Sequence, residues 1–291
     1  MKLSTIVRFT LLLSLFCVGG VAASDDQKVS RFLQAFQHRQ ALQFDLGEVS
    51  LPEAYRLQQR YVARLQQQLG PVVGYKVAMS SEAAQVHFRL HEPLYGHLLE
   101  PMLLNSPAVV PLAFGSRGLI EADLLVRVGD QRINQAESVA QILPMLDAVI
   151  PFIELPDPLW SSPLTAERLL VVNCGSRLGV VGEPIPLAAT QDWHQRLSRF
   201  QVELSHQTGG VSSIIGSGRG EALLGHPLQV VLWLVQKLNQ QGRLLRAGDL
   251  ISLGSLTAPV MPELGNYLAT YRGLAADREL SVSVTFTDPT E

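Results

Sequence analysis

Cysteine is nearly absent. The 291 residues hold two, Cys17 and Cys174, too few for a disulfide framework, and no Cys-x-x-Cys with a following histidine pair marks structural zinc. An excess of one charge sign is missing as well. With 23 Lys and Arg against 26 Asp and Glu and a formal net charge of −3, the chain has neither the basic surplus of a nucleic-acid binder nor an acidic tail. No Gly-x-Ser-x-Gly elbow occurs, so a serine-triad esterase would lack its nucleophile context. Gly216-Ser217-Gly218-Arg219-Gly220 lacks the ending of a phosphate loop and the spacing of a dinucleotide fingerprint, and reads as a flexible turn. His87, His91 and His97 straddle Pro93 and Gly96 and read as hydrogen-bond partners in loops rather than metal ligands. What remains is a hydrophobic share of 47%, ample for a packed core.

The one long apolar run lies at the start. Lys2 and Arg8 precede Phe9 to Ala23, which ends Val21-Ala22-Ala23 before Ser24-Asp25-Asp26. That layout is a secretory signal, and the run falls short of the roughly 20 residues of a spanning helix. Cleavage near Ala23 is expected, which makes the mature chain an exported protein, periplasmic or secreted, with no membrane attachment. It would carry 21 basic against 26 acidic residues and a single thiol, Cys174, which reads as a small buried hydrophobe.

Val29, Phe32, Leu33 and Phe36 recur at helical spacing after two acids. A second helix opens with the capping box Ser50-Leu51-Pro52-Glu53, continues through Ala54, Tyr61, Leu65 and Leu69, and stops at Gly70-Pro71. Beyond Pro71 the texture changes to short apolar or β-branched stretches, at 72–79, 119–128, 149–154, 250–254 and 280–287. In the last of these Val282, Val284 and Phe286 alternate with Ser and Thr, as in a sheet with one wet face. Pro227 to Asn239 reads as a helix opened by proline. The pattern predicts a helical arm over residues 24–70 on a mixed, β-rich domain over 71–291, an α+β chain rather than an alternating doubly wound sheet.

Three stretches carry the chemistry. Strand residues i and i+2 face the same way, so Glu121 and Asp123 share a face opposite Ile120, Ala122 and Leu124. Like charges on a half-buried strand repel unless protonated or bridged by a cation. Glu154 ends another apolar strand and offers a third oxygen ligand, a set that suits Mg2+ or Mn2+. A solvated strand face fits the same pair. Lys76 sits between Gly74 and Ala78 on its strand face; burial there would lower its pKa into the range useful for proton transfer, whereas a snorkelling lysine would stay in water. Gly254-Ser255-Leu256-Thr257 forms a turn whose N–H groups and hydroxyls could hold a substrate carboxylate, or simply cap the turn.

Taken in order, Gly74-Tyr75-Lys76-Val77, Glu92-Pro93-Leu94-Tyr95-Gly96, Glu121-Ala122-Asp123, Phe152-Ile153-Glu154-Leu155-Pro156-Asp157, Leu224-Gly225-His226-Pro227, Ala247-Gly248-Asp249 and Gly254-Ser255-Leu256-Thr257 resemble the fumarylacetoacetate hydrolase superfamily. Within it they are similar to the branch of 2-keto-4-pentenoate hydratases and 4-oxalocrotonate decarboxylases. The resemblance implies a mixed β-sandwich roll with an N-terminal helical arm. It implies Mg2+ or Mn2+ on Glu121, Asp123 and Glu154, with Lys76 as the acid/base group and Gly254, Ser255 and Thr257 against the substrate. The implied activity is that of a lyase on a small 2-oxo or 2-hydroxy-dienoic acid, passing through a metal-stabilised enolate. A decarboxylase or C–C hydrolase on the same scaffold, and an exported carboxylate-binding protein without turnover, are the alternatives. The family's habit implies a homo-oligomer. Two departures stand out: the family's Glu-x-Glu is Glu121-Ala122-Asp123 here, and its Asp-Asn pair is Val172-Asn173.

Overall fold

The structure, a computed structural model, describes residues 23–161 and 163–288; the expected signal segment falls outside them except for Ala23. Ser24 caps α1 (Asp25–His38) with a complete capping box, and α2 (Leu51–Leu69) opens with Pro at its first turn and ends at Gly70, as the sequence pattern predicts. The two helices pack through Phe32 and Tyr61, whose rings meet edge-on at 6.0 Å. Further helices are α3 (Glu82–Phe88), α4 (Val139–Ile142), α5 (Ala166–Val171), α6 (Gln191–Arg199) and α7 (Pro227–Gln240). No described helix is long and apolar enough to cross a membrane.

Thirteen strands follow among the described residues: β1 (Val72–Ala78), β2 (Leu94–Leu99), β3 (Leu103–Asn105), β4 (Ala108–Pro111), β5 (Glu121–Val128), β6 (Leu146–Leu155), β7 (Leu178–Val181), β8 (Ile185–Pro186), β9 (Gln201–Thr208), β10 (Val211–Arg219), β11 (Leu250–Ser252), β12 (Gly265–Arg272) and β13 (Leu280–Thr287). Eight form a mixed sheet in the order β2-β1-β11-β5-β6-β7-β3, with β8 beside β6, and five form a second sheet in the order β10-β9-β12-β13-β4. The class is α+β, with curled sheets. Strands β5 and β6 lie at the centre of the larger sheet and are buried over almost their whole length, so their apolar side chains fill both faces. The second sheet buries Val282, Val284 and Phe286 while the alternating Ser281, Ser283 and Thr285 stay less buried. Tyr271 of β12 crosses between the sheets. Its buried hydroxyl lies 2.5 Å from the Asp123 carbonyl and 2.8 Å from that of Phe152.

The glycine-rich stretch at 216–220 corrects the turn reading. Residues 216–219 belong to β10, and the glycines make room for another segment: a Cβ on Gly218 would sit 1.9 Å from the Leu256 carbonyl oxygen. Helix α3, which carries His87, also departs from the loop reading; Ser81 caps it by accepting from Ala84 N.

Candidate active site

Register brings the acids together. In the antiparallel pair of β5 and β6, Glu121 faces Glu154 and Asp123 faces Phe152, so the three carboxylates share one end of one sheet face. On β1, Lys76 pairs with Ser252 of β11, which in turn pairs with Leu125 of β5. The lysine thus arrives from two strands away. All four groups are buried, with Glu121 8%, Asp123 0%, Glu154 2% and Lys76 3% exposed.

Lys76 Nζ forms an ion pair with Glu154 Oε1 and donates to the Cys174 carbonyl at 3.0 Å. The sequence pattern led to a lowered lysine pKa, and the structure reverses the sign. Burial does pull it down, but the charges of Glu154 and Glu121 outweigh burial and carry it above its ordinary value. The resting lysine is therefore an ammonium. For Glu121, burial first and Glu154 second raise the pKa well above the usual carboxylate range. Burial and Glu154 likewise push Asp123 up to about 7, against hydrogen bonds from Ser252 and Leu124 that lower it.

Asp123 is not aimed like the two glutamates. Its carboxylate accepts from Ser252 Oγ and Leu124 N, both at 2.5 Å, and from Gly254 N at 3.1 Å. As the side chains stand, no three His, Cys, Asp or Glu among the described residues form a ready coordination sphere. The donor chemistry nonetheless fits a hard divalent cation. Three buried acids face one ammonium, and Glu154 Oε2 is buried without a hydrogen-bond partner, an arrangement costly unless a cation or a proton answers it.

The turn after β11 is bound to β5 rung by rung. Leu253 N donates to the Leu124 carbonyl and Leu256 N to that of Ala122, and Thr257 Oγ1 accepts from Ala122 N at 3.0 Å. Gly254 has φ +101°, and a Cβ there would lie 2.1 Å from Ser80 Oγ, so only glycine fits. Of the three turn residues expected at the substrate, Ser255 lines a cavity, with its hydroxyl donating to the Thr257 carbonyl. Gly254 and Thr257 brace the turn.

The cavity is 410 Å3 in volume, and Lys76, Glu121, Glu154 and Ser255 line it together with Cys174 and Gly175. A larger one, of 1130 Å3, lies across β1 and is lined by Tyr75, His97 and Arg243; it contains none of the three acids. Near the site Cys174 is the buried packing residue that the sequence suggests, whereas the clamp formed by Asn173 has no local sequence signal. Asn173 and Cys174 both hold positive φ, 60° and 53°, and Asn173 is bound to β2, its Oδ1 accepting from His97 N at 2.7 Å and its Nδ2 donating to the His97 carbonyl at 2.9 Å. This clamp presents the Cys174 carbonyl to Lys76. The thiol itself is buried and pushed up to about 12 by desolvation, which makes it a packing group. Other motif residues are structural. Asp157 accepts from Ser116 N at 2.7 Å and Arg117 N at 3.1 Å, Glu92 receives Lys237 of α7 at 2.5 Å, and His226 caps α7.

No family model matches the chain. Individual proteins do. It is 26% identical over 235 residues to 4-oxalocrotonate decarboxylase of Pseudomonas putida, covering 80% of this chain and 86% of the relative. It is 29% identical over 227 residues to the TodF product hydratase of Pseudomonas putida F1, covering 76% and 79%. The structure of 4-oxalocrotonate decarboxylase from Pseudomonas putida G7, complexed with magnesium and adipate, superposes with a TM-score of 0.77 over 89% of this chain and 95% of that one, at 24% identity. The chain has the fumarylacetoacetate hydrolase fold, and the relatives it matches in sequence are hydratases and decarboxylases. A putative fumarylacetoacetate isomerase/hydrolase from Oleispira antarctica shares the fold more distantly, with a TM-score of 0.51 over 74% of this chain and 94% of that one, at 13% identity.

Proposed function

We propose that the protein is a divalent-metal-dependent lyase of the hydratase type, acting on a small 2-oxo or 2-hydroxy-dienoic acid. The observation that carries this reading is the meeting of Lys76 with Glu121 and Glu154 on the floor of one cavity, with Glu154 Oε2 unpartnered. Glu121 and Glu154 would hold Mg2+ or Mn2+, and Asp123 stands behind them as the third carboxylate. Magnesium in the structure of the decarboxylase relative supports a divalent ion. When bound, such an ion supplies a Lewis acid for the carboxylate and C2 oxygen of the substrate.

The chain's own residues account for the proton. Lys76, paired with Glu154 and aimed by the Cys174 carbonyl, is placed to hold and deliver a proton. Its Nζ proton goes to the terminal carbon of the dienol while the 2-hydroxyl gives up its own proton to the amine so vacated, which leaves the conjugated ketone to which water adds and restores the ammonium. The turn at 253–257 places Ser255 at the cavity edge, and backbone hydrogen bonds to β5 fix that turn in place. A homo-oligomer is part of the reading. It is supported by Val211 and Ile214, which are 68% and 62% exposed on the edge strand β10, an apolar edge of the kind that association covers.

Ultraviolet decay of 2-hydroxypenta-2,4-dienoate, followed with Mg2+, with Mn2+ and with chelator, tests the proposal. Wild type with metal should turn it over, chelator should stop it, and Lys76→Ala should lose a factor on the order of 100 or more. Wild type and Lys76→Ala equally inert, yet both binding oxalate, would make the protein a carboxylate binder instead.

A further inference from the structure

Above its charged floor the cavity changes character. Met79, Phe88, Leu119, Pro156, Leu164 and Leu169 form the walls. Among the described lining residues there is no arginine and no second lysine. Apart from Lys76, Glu121, Glu154 and the raised thiol of Cys174, the one ionisable group is His87. It is exposed on α3, with its ring against Phe88 at 4.9 Å. The 410 Å3 of space equals the liquid volume of about 14 water molecules, more than the reacting end of a short 2-oxo acid fills.

These walls treat the two kinds of far end differently. A carboxylate there would lose its hydration and gain no fixed cation, which is unfavourable. A hydrocarbon group would gain about fourfold in affinity for each methylene buried. Resting on the reading that Lys76, Glu121 and Glu154 engage the 2-oxo acid end, we propose that the substrate is a monocarboxylic acid whose far end is a hydrocarbon chain or ring, and that the cavity walls select it against dicarboxylic acids. Helix α3, by way of Phe88, and the segment with Leu164 and Leu169 are the selecting surfaces.

Calorimetry on the full chain with Mg2+ tests this with three 2-oxo acids: pyruvate, 2-oxohexanoate and 2-oxoadipate. The last two have the same carbon count and differ by a terminal carboxylate. 2-Oxohexanoate should bind at least tenfold more tightly than either of the others. In Phe88→Lys, which places a cation on the wall, the ratio of 2-oxohexanoate to 2-oxoadipate affinity should fall at least tenfold; because the readout is a ratio within one protein, partial loss of folded protein does not imitate it. Equal or tighter binding of 2-oxoadipate by the wild type overturns the proposal, and loss of that binding in His87→Ala would trace it to the histidine. Failure of all three acids to bind overturns the reading of the floor instead, since pyruvate carries only the end that the floor is expected to hold.

Discussion

His97 is the hydrogen-bond partner that its sequence neighbourhood suggests, but it stands on a buried strand rather than in a loop. It is 2% exposed on β2, its Nε2 accepts from Arg243 Nη1 at 3.1 Å and its Nδ1 lies 3.3 Å from Asn173 Oδ1. An accepting Nε2 puts the proton on Nδ1, so the ring is neutral. Burial first, and the Arg243 charge second, lower its pKa from 6.5 to about 4. The unfolded chain binds a proton near 6.5 that the folded chain refuses until about 4. Stability from this group is therefore complete above the unfolded value and is lost as pH falls through that window, by up to about 3 kcal/mol. Urea unfolding of wild type should show a steeper loss between those pH values than His97→Gln does. Identical pH profiles would mean that His97 titrates alike in both states. Because His97 anchors Asn173, and the next carbonyl holds Lys76, acid weakening of this clamp bears on the proposed proton donor.

Strand β10 and the turn that follows β11 are two elements that explain each other. The glycines of β10 let the turn pass at backbone distance, and the same turn carries Ser255 to the cavity while fastening Asp123 through Gly254 N. Gly218→Ala would drive a methyl group to 1.9 Å from the Leu256 oxygen. Overpacking of this kind costs roughly 1–3 kcal/mol, and the displaced turn should raise KM for the dienoate as well as lower Tm. Ser217→Ala, at an exposed neighbouring position, should stay within about 0.5 kcal/mol of wild type. Gly218→Ala with unchanged Tm and KM would show that the turn does not rest on β10. The helices α1 and α2 and strands β1, β5, β6 and β13 were legible from capping boxes and side-chain alternation, because both are local signals. The β10 strand was not, because its glycines answer to residues some 40 positions further along the chain.

The fold as a whole carries an excess of buried acid. Among the described residues, Lys76 is the one cation paired with the buried cluster of Glu121, Asp123 and Glu154, through Glu154, so binding a divalent cation should add to folding stability. At a metal concentration 100 times Kd the gain is about 2.7 kcal/mol, or a rise in Tm on the order of 5–10 °C for a chain of this size. Glu121→Gln and Glu154→Gln should abolish the shift, while Glu167→Ala on α5 should keep it. Asp123→Asn should keep much of it, since that carboxylate is already engaged by Ser252 and Gly254. Equal loss in Asp123→Asn would make Asp123 a full ligand, and no shift in wild type would remove the metal from the proposed reaction.

Strand alternation alone placed Glu121 and Asp123 on one face and singled out Lys76 between small neighbours, because the two-residue period of a strand needs no knowledge of what lies across from it. Register added that Glu154 stands opposite Glu121. The direction of the lysine pKa, the diversion of Asp123 to Ser252, the Asn173 clamp and the apolar walls above the floor came only with tertiary packing. Each depends on groups brought together from up to about 130 positions apart, and the balance of desolvation against nearby charge is set by those neighbours rather than by the residue that titrates.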